Sequence, residues 1–129
     1  MIRVPQISEG KVESTRLELR CPDPSANPYL AFASMLKAGL AGIKKNLKPP
    51  KPVEEDVYEF NDQKLKKYYI HHLPSSLKEA IDELEKSKLV KDLLGDYVLK
   101  RYLATKKAEW DSFRTWVTDW EKKRYLKNL

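Results

Sequence analysis

The segment from Asn27 to about Asn46 constrains this chain more than any other. Leu30, Ala31, Phe32, Ala33, Met35, Leu36, Ala38, Leu40, Ala41 and Ile43 go nearly all round a helix there, with Lys37 the main charged interruption. A helix apolar on every side is normally buried on every side, so a core helix is expected. Asn27 suits the N-cap and Pro28 the first helical position. Small residues at Ala38, Gly39, Ala41 and Gly42 would let another element approach closely. A membrane helix is the weaker reading, because the run is short and Lys37 breaks it. Lys48-Pro49-Pro50-Lys51-Pro52 then stops the helix and forms a stiff extended spacer.

Upstream, Thr15-Arg16-Leu17-Glu18-Leu19-Arg20 alternates charged and apolar residues with a period of two, the mark of a strand with one buried face. Leu17 and Leu19 point one way, and Arg16, Glu18 and Arg20 the other. Same-face neighbours on a strand sit roughly 6.5–7 Å apart, so the three charges make a short ladder. Between two guanidiniums Glu18 stays ionised with a lowered pKa, able to hold a cation. A solvated strand face would show the same pattern, and for an isolated Arg-x-Glu-x-Arg that is the better explanation. Residues 2–5 read as a second short strand, joined to 15–20 by a polar loop containing Glu9-Gly10-Lys11. Two strands alone are marginal in water and need further structure beneath them.

Beyond the proline spacer, Val57, Tyr58 and Phe60 are expected to pin the chain to a core, and Asn61 or Asp62 to cap a short helix through Tyr68. His71-His72 are adjacent, not one helical turn apart, and read as loop residues and not as metal ligands. Ser76-Leu77-Lys78-Glu79 fits a capping box opening a helix with Leu77, Ala80, Ile81 and Leu84 on one face. Ser87 caps a further turn ended by Gly95, and Asp96 opens the last long helix. Along it Leu99, Leu103, Lys106, Trp110, Phe113 and Val117 form a packing stripe interrupted at Lys106. Thr118 or Asp119 caps a final turn through Trp120 and Tyr125.

With 129 residues the chain forms one domain at most, and its 34% charged residues suit an extensive ionic surface. A net charge of +6 raises nucleic-acid binding as a possibility. Acidic residues interrupt the lysines almost everywhere, however, and no recognition helix or aromatic RNA motif is visible. A solvated basic surface is expected, with no nucleic-acid partner. The single Cys21 excludes an internal disulfide, and no signal peptide or bilayer-length apolar run is present. The expected location is the cytoplasm.

The order of motifs is more specific than any one of them. Arg3-Val4-Pro5, Thr15 to Arg20, Pro22-Asp23-Pro24-Ser25-Ala26-Asn27-Pro28-Tyr29 and Ala38-Gly39-Leu40-Ala41-Gly42-Ile43-Lys44 follow one another. Leu73-Pro74-Ser75-Ser76-Leu77-Lys78-Glu79-Ala80, Glu109 to Thr115, Trp120-Glu121 and Tyr125 continue the series. Together they closely resemble the carboxy-terminal part of the catalytic domain of bacterial and archaeal glutamine synthetase, over nearly the whole chain. The resemblance implies a ligase that makes glutamine from glutamate, ammonia and ATP through γ-glutamyl phosphate. It implies that Arg3 and Arg16 lie at the ATP phosphates. Glu18 would be a ligand of the magnesium or manganese that bridges to ATP, and Arg20 would contact the glutamate side-chain end and the phosphorylated intermediate. Residues 1–26 would form a strand-and-loop wall of the active site and 27–129 a helical part that braces it.

The expected fold class is mainly α with a small two-stranded β element, a carboxy-terminal fragment of an α+β catalytic domain. The small amino-terminal domain, most of the barrel and the other metal ligands of the family have no counterpart here. The connection from Gln6 to Ser14 also looks longer than is common in the family. One Glu cannot supply the roughly six ligands of such an ion, so the isolated chain is expected neither to catalyse the reaction nor to hold ATP or metal tightly. Expected partners are the rest of a glutamine synthetase chain and neighbouring subunits of a two-ring oligomer. The alternative is a truncated, non-catalytic module that binds or regulates the complete enzyme.

Overall fold

The computed structural model describes residues 2–6 and 10–126. Glu9, expected in the polar loop, lies outside them. The chain divides into two compact units, Met1–Lys45 and Asn46–Leu129, each of which stands by itself below.

The first unit holds a two-stranded antiparallel sheet, β1 (Ile2–Arg3) and β2 (Glu18–Leu19), paired Ile2 to Leu19 and Arg3 to Glu18. Both strands are shorter than the alternating pattern over 2–5 and 15–20 suggests. The expected buried face is not formed either, since Leu17 and Leu19 are exposed. Alternation marks which side chains share a face, but only a second layer can bury that face, and none of the described residues of this unit covers the leucines. A turn of 3-10 helix at Val12–Ser14 leads into β2.

Helix α1 (Pro28–Lys44) starts as its sequence dictates. The Asn27 Oδ1 accepts hydrogen bonds from the Tyr29 and Leu30 amides at 3.0 and 3.2 Å, with Pro28 at the first helical position. The expectation of burial on every side fails: no α1 residue is buried, and Phe32 and Leu36 are 67% and 66% exposed. Propensity and capping, both local, are sufficient to define the helix. Its burial depends on what packs against it, which the helix's own pattern does not specify.

In the second unit, Asn61 caps α2 (Asp62–Lys67), its Oδ1 accepting from the Lys64 amide at 2.9 Å. Phe60 does pin this region, stacking on Tyr68 at 5.6 Å with the Lys64 ammonium 4.2 Å above its ring. Glu55 closes the cluster through an ion pair with Lys64 and a hydrogen bond from the Tyr68 hydroxyl. Tyr58, expected to help, instead faces solvent. His71 and His72 lie in irregular chain, and no group of three potential metal ligands exists among the described residues.

Helices α3 (Leu77–Lys86) and α4 (Lys88–Arg114) carry the packing core. The Ser76 hydroxyl accepts from the Glu79 amide at 3.2 Å. The reciprocal half of the expected box is displaced by one residue, because the Glu79 carboxylate takes the Ser75 amide and hydroxyl at 2.8 and 2.9 Å. Ser87 caps α4, which breaks at Gly95, where φ of 69° and ψ of 167° suit only glycine. Beyond that break α4 runs back beside α3, burying Ile81 (2% exposed) and Leu99 (8%), and Lys107 pairs with Glu85 across the two helices. The expected stripe is buried only at its start: Leu103 and Trp110 are half-buried, while Phe113 and Val117 are exposed. Thr118 and Glu121 form a complete capping box for α5 (Asp119–Tyr125).

Two substitutions separate packed from unpacked apolar positions. Ile81→Ala should cost about 2–5 kcal/mol of unfolding free energy, because it empties the centre of the α3–α4 contact. Leu36→Ala should stay within about 0.5 kcal/mol of the parent, since its side chain lies largely in solvent. Urea unfolding followed by far-ultraviolet circular dichroism measures both.

Candidate functional site

The four residues singled out by the charge ladder and the Arg-Val-Pro segment come together in the first unit. Glu18 is the hub. Its Oε1 accepts from Arg16, with Nη2 at 2.8 Å and Nε at 3.0 Å, so one face of that guanidinium grips a single oxygen. Its Oε2 is shared by Arg3 Nη1 at 3.2 Å and Arg20 Nε at 3.3 Å. Arg16 is further fixed by donating from Nη1 to the Ser14 carbonyl at 3.3 Å.

Local structure explains this convergence. In a strand, residues two apart share a face, which points Arg16 and Arg20 to the side that Glu18 occupies. Extended backbone alone would hold them about 7 Å apart, but long arginine stems bend inward and close the gap. Arg3 arrives by the antiparallel register, which sets it directly opposite Glu18. Such cross-strand pairs of opposite charge are a unit of sheet stabilisation. Sequence reading placed Arg3 near this site only by resemblance; the pairing supplies the physical route.

Glu18 is the most enclosed member, with 21% of its side chain exposed against 50%, 57% and 51% for Arg3, Arg16 and Arg20. Partial desolvation pulls its carboxyl pKa upward. The hydrogen bonds and charges of Arg16 and Arg3 outweigh that pull, and the net shift is downward. The carboxylate is thus ionised throughout the neutral range. Three guanidiniums against one carboxylate leave an excess of positive charge facing solvent, an arrangement suited to phosphate oxygens. As a cation site it is incomplete, because one carboxylate cannot supply the roughly six oxygen ligands magnesium or manganese requires.

Two residues that sequence reading did not single out set the path from β2 to α1. Asp23 Oδ1 accepts from the Ser25 hydroxyl at 2.5 Å and from its amide at 2.7 Å, closing a tight turn two residues before the α1 cap. Those bonds hold the Asp23 carboxyl below its ordinary pKa. The signal was available in Asp-x-Ser between prolines, a recurrent turn former.

The shift on Glu18 has a definite sign. A carboxyl whose folded pKa is depressed stabilises the fold above its unfolded pKa and loses that contribution as pH falls through the folded value. In a carbon-detected NMR titration the Glu18 carboxyl should titrate below 4.5, and Arg16→Gln should move its midpoint upward.

Comparison with known proteins now supplies the context of this site. Residues 1–125 match the family described as glutamine synthetase, catalytic domain. The chain is 48% identical over 127 residues to glutamine synthetase of Methanococcus maripaludis, covering 98% of this chain and 28% of that protein. It is 46% identical over 129 residues to glutamine synthetase of Methanosarcina mazei, again 28% of that protein. A solved structure described as apo GmaS without ligand superimposes with a TM-score of 0.69 at 33% identity, over 85% of this chain and 25% of that one. The chain therefore spans little more than a quarter of the length of the curated relatives it matches. It belongs to the glutamine synthetase family, as a carboxy-terminal part of the catalytic domain.

Proposed function

We propose that this chain supplies one wall of a glutamine synthetase active site, in which glutamate is activated by ATP and the γ-glutamyl phosphate is captured by ammonia. The observation that carries the reading is the convergence of Arg3, Arg16 and Arg20 on Glu18 within 3.3 Å. Phosphoryl transfer is helped chiefly by fixed positive charge around oxygens that gain negative charge, and three arginines on a short sheet are such a group. Arg3 and Arg16 hold ATP phosphates. Arg20 contacts the glutamate side-chain end, where negative charge builds as the phosphoryl group arrives. Glu18 gives one ligand to magnesium or manganese, whose remaining ligands come from the rest of the catalytic domain.

In this reading the exposed apolar surface of α1 has a role as well. Tyr29, Phe32, Leu36, Leu40 and Ile43 recur at spacings of three and four and are all exposed. They form a face suited to packing against the remainder of a catalytic domain in an oligomeric enzyme. No described helix is long and apolar enough to cross a membrane. In this reading the chain does not catalyse the reaction by itself, because the single carboxylate of Glu18 cannot complete a magnesium or manganese site.

Complementation tests this reading. The chain is co-expressed with a Methanococcus maripaludis glutamine synthetase truncated to remove the matched segment, and glutamine formation is assayed. Activity should require both pieces, and Arg20→Ala should lower it by at least about a hundredfold, the usual effect of removing a charge-stabilising donor. No association and no activity would overturn the reading. The single carboxylate at the site also suits a non-catalytic module, and binding to the intact enzyme without complementing the truncated one would favour that role instead.

A further inference from the structure

Among the described residues, Glu18 pairs with groups that would otherwise be available to an anion. Its Oε1 is taken by the Arg16 fork, and its Oε2 is divided between Arg3 and Arg20. Arg3 and Arg20 each commit one nitrogen to that shared oxygen, and about half of each side chain remains in solvent. A guanidinium has five N–H donors in a fixed fork, so both retain donors that an incoming anion can reach. The full fork of either becomes available only if its hold on Oε2 is given up.

We propose that Glu18 is the internal counter-ion of this cluster, competing with a polyphosphate anion for the same three guanidiniums. The inference rests on the phosphate-binding reading given above and adds a sign to it. With Glu18 ionised the four side chains sum to +2, three positive charges less one. Without that carboxylate they sum to +3. The carboxylate therefore weakens metal-free anion binding, while keeping three like charges together on a short sheet when no anion is bound.

The test is calorimetric titration of the purified 129-residue chain with sodium tripolyphosphate at low ionic strength, in excess EDTA so that no metal takes part. Glu18→Gln should tighten binding by about five- to tenfold, the scale of one unit charge removed near the ligand in a solvent-exposed site. Arg20→Gln should weaken it, and Glu13→Gln, which removes an acid from the preceding 3-10 turn, should change it little. Glu18→Asp retains the charge on a shorter stem and should fall between the parent and Glu18→Gln. It serves as the readout if circular dichroism shows that Glu18→Gln has lost structure. Binding that is unchanged or weaker in the Glu18 variants, with Arg20→Gln still impaired, overturns the counter-ion proposal and leaves the phosphate-binding reading standing. Absence of tripolyphosphate binding by the parent chain, or binding indifferent to Arg20, overturns both.

Discussion

The dominant constraint on this molecule is apolar surface that it does not cover by itself. Leu65, Ile81 and Leu99 are its buried hydrophobic side chains among the described residues, while Phe32, Leu36, Leu40 and Ile43 line one helix in solvent. At about 25 cal/mol for each Å² of apolar area, leaving several large side chains exposed forfeits much of the usual drive to fold. The sheet is limited in the same way. Two pairs of residues in a ladder hold little by themselves, and what crosses the ladder is an ion cluster, not a hydrophobic layer. Cores are made where layers meet, and an apolar face with nothing opposite it stays in solvent.

Within that limit the chain divides its stabilising interactions by range. Caps, breakers and turns act over two to four residues and are complete. Asn27, Asn61, Ser76, Ser87 and Thr118 each accept a backbone amide at a helix start. The Asp23–Ser25 turn and the Gly95 break likewise need no outside help. Longer contacts among the described residues include α3 against the returning part of α4, Glu55 with Lys64 and Tyr68, and Arg3 with Glu18. The candidate site belongs to the second class, so it depends on the register of a very small sheet. This is why its electrostatics matter more than its packing. A carboxylate shared by three arginines limits the repulsion that would otherwise drive them apart.

The helix boundaries were legible because each is written in side chains that touch nearby backbone. Asn27-Pro28, Ser87, Gly95 and Thr118 behave as their residue types require. The small misreadings share one cause. Glu79 reaches Ser75 instead of the Ser76 amide because a flexible side chain can choose between two neighbouring donors, and spacing alone does not select one. Phe113 and Val117 sit at positions where periodicity suggested packing, yet they face solvent. Periodicity specifies which residues share a face and is silent on whether anything lies opposite.

The sequence by itself therefore determined the family, the order of helices, their caps and the alternation that puts Arg16, Glu18 and Arg20 on one side. Those features rest on motif order and on interactions a few residues long. Only the tertiary structure decided that Arg3 meets Glu18, fifteen residues away in the chain, that the carboxylate is shared three ways, and that α1 lies uncovered. The physical reason is that strand register and burial are set by surfaces meeting across space. Such meetings depend on what else is present to pack, and a local pattern carries no record of that.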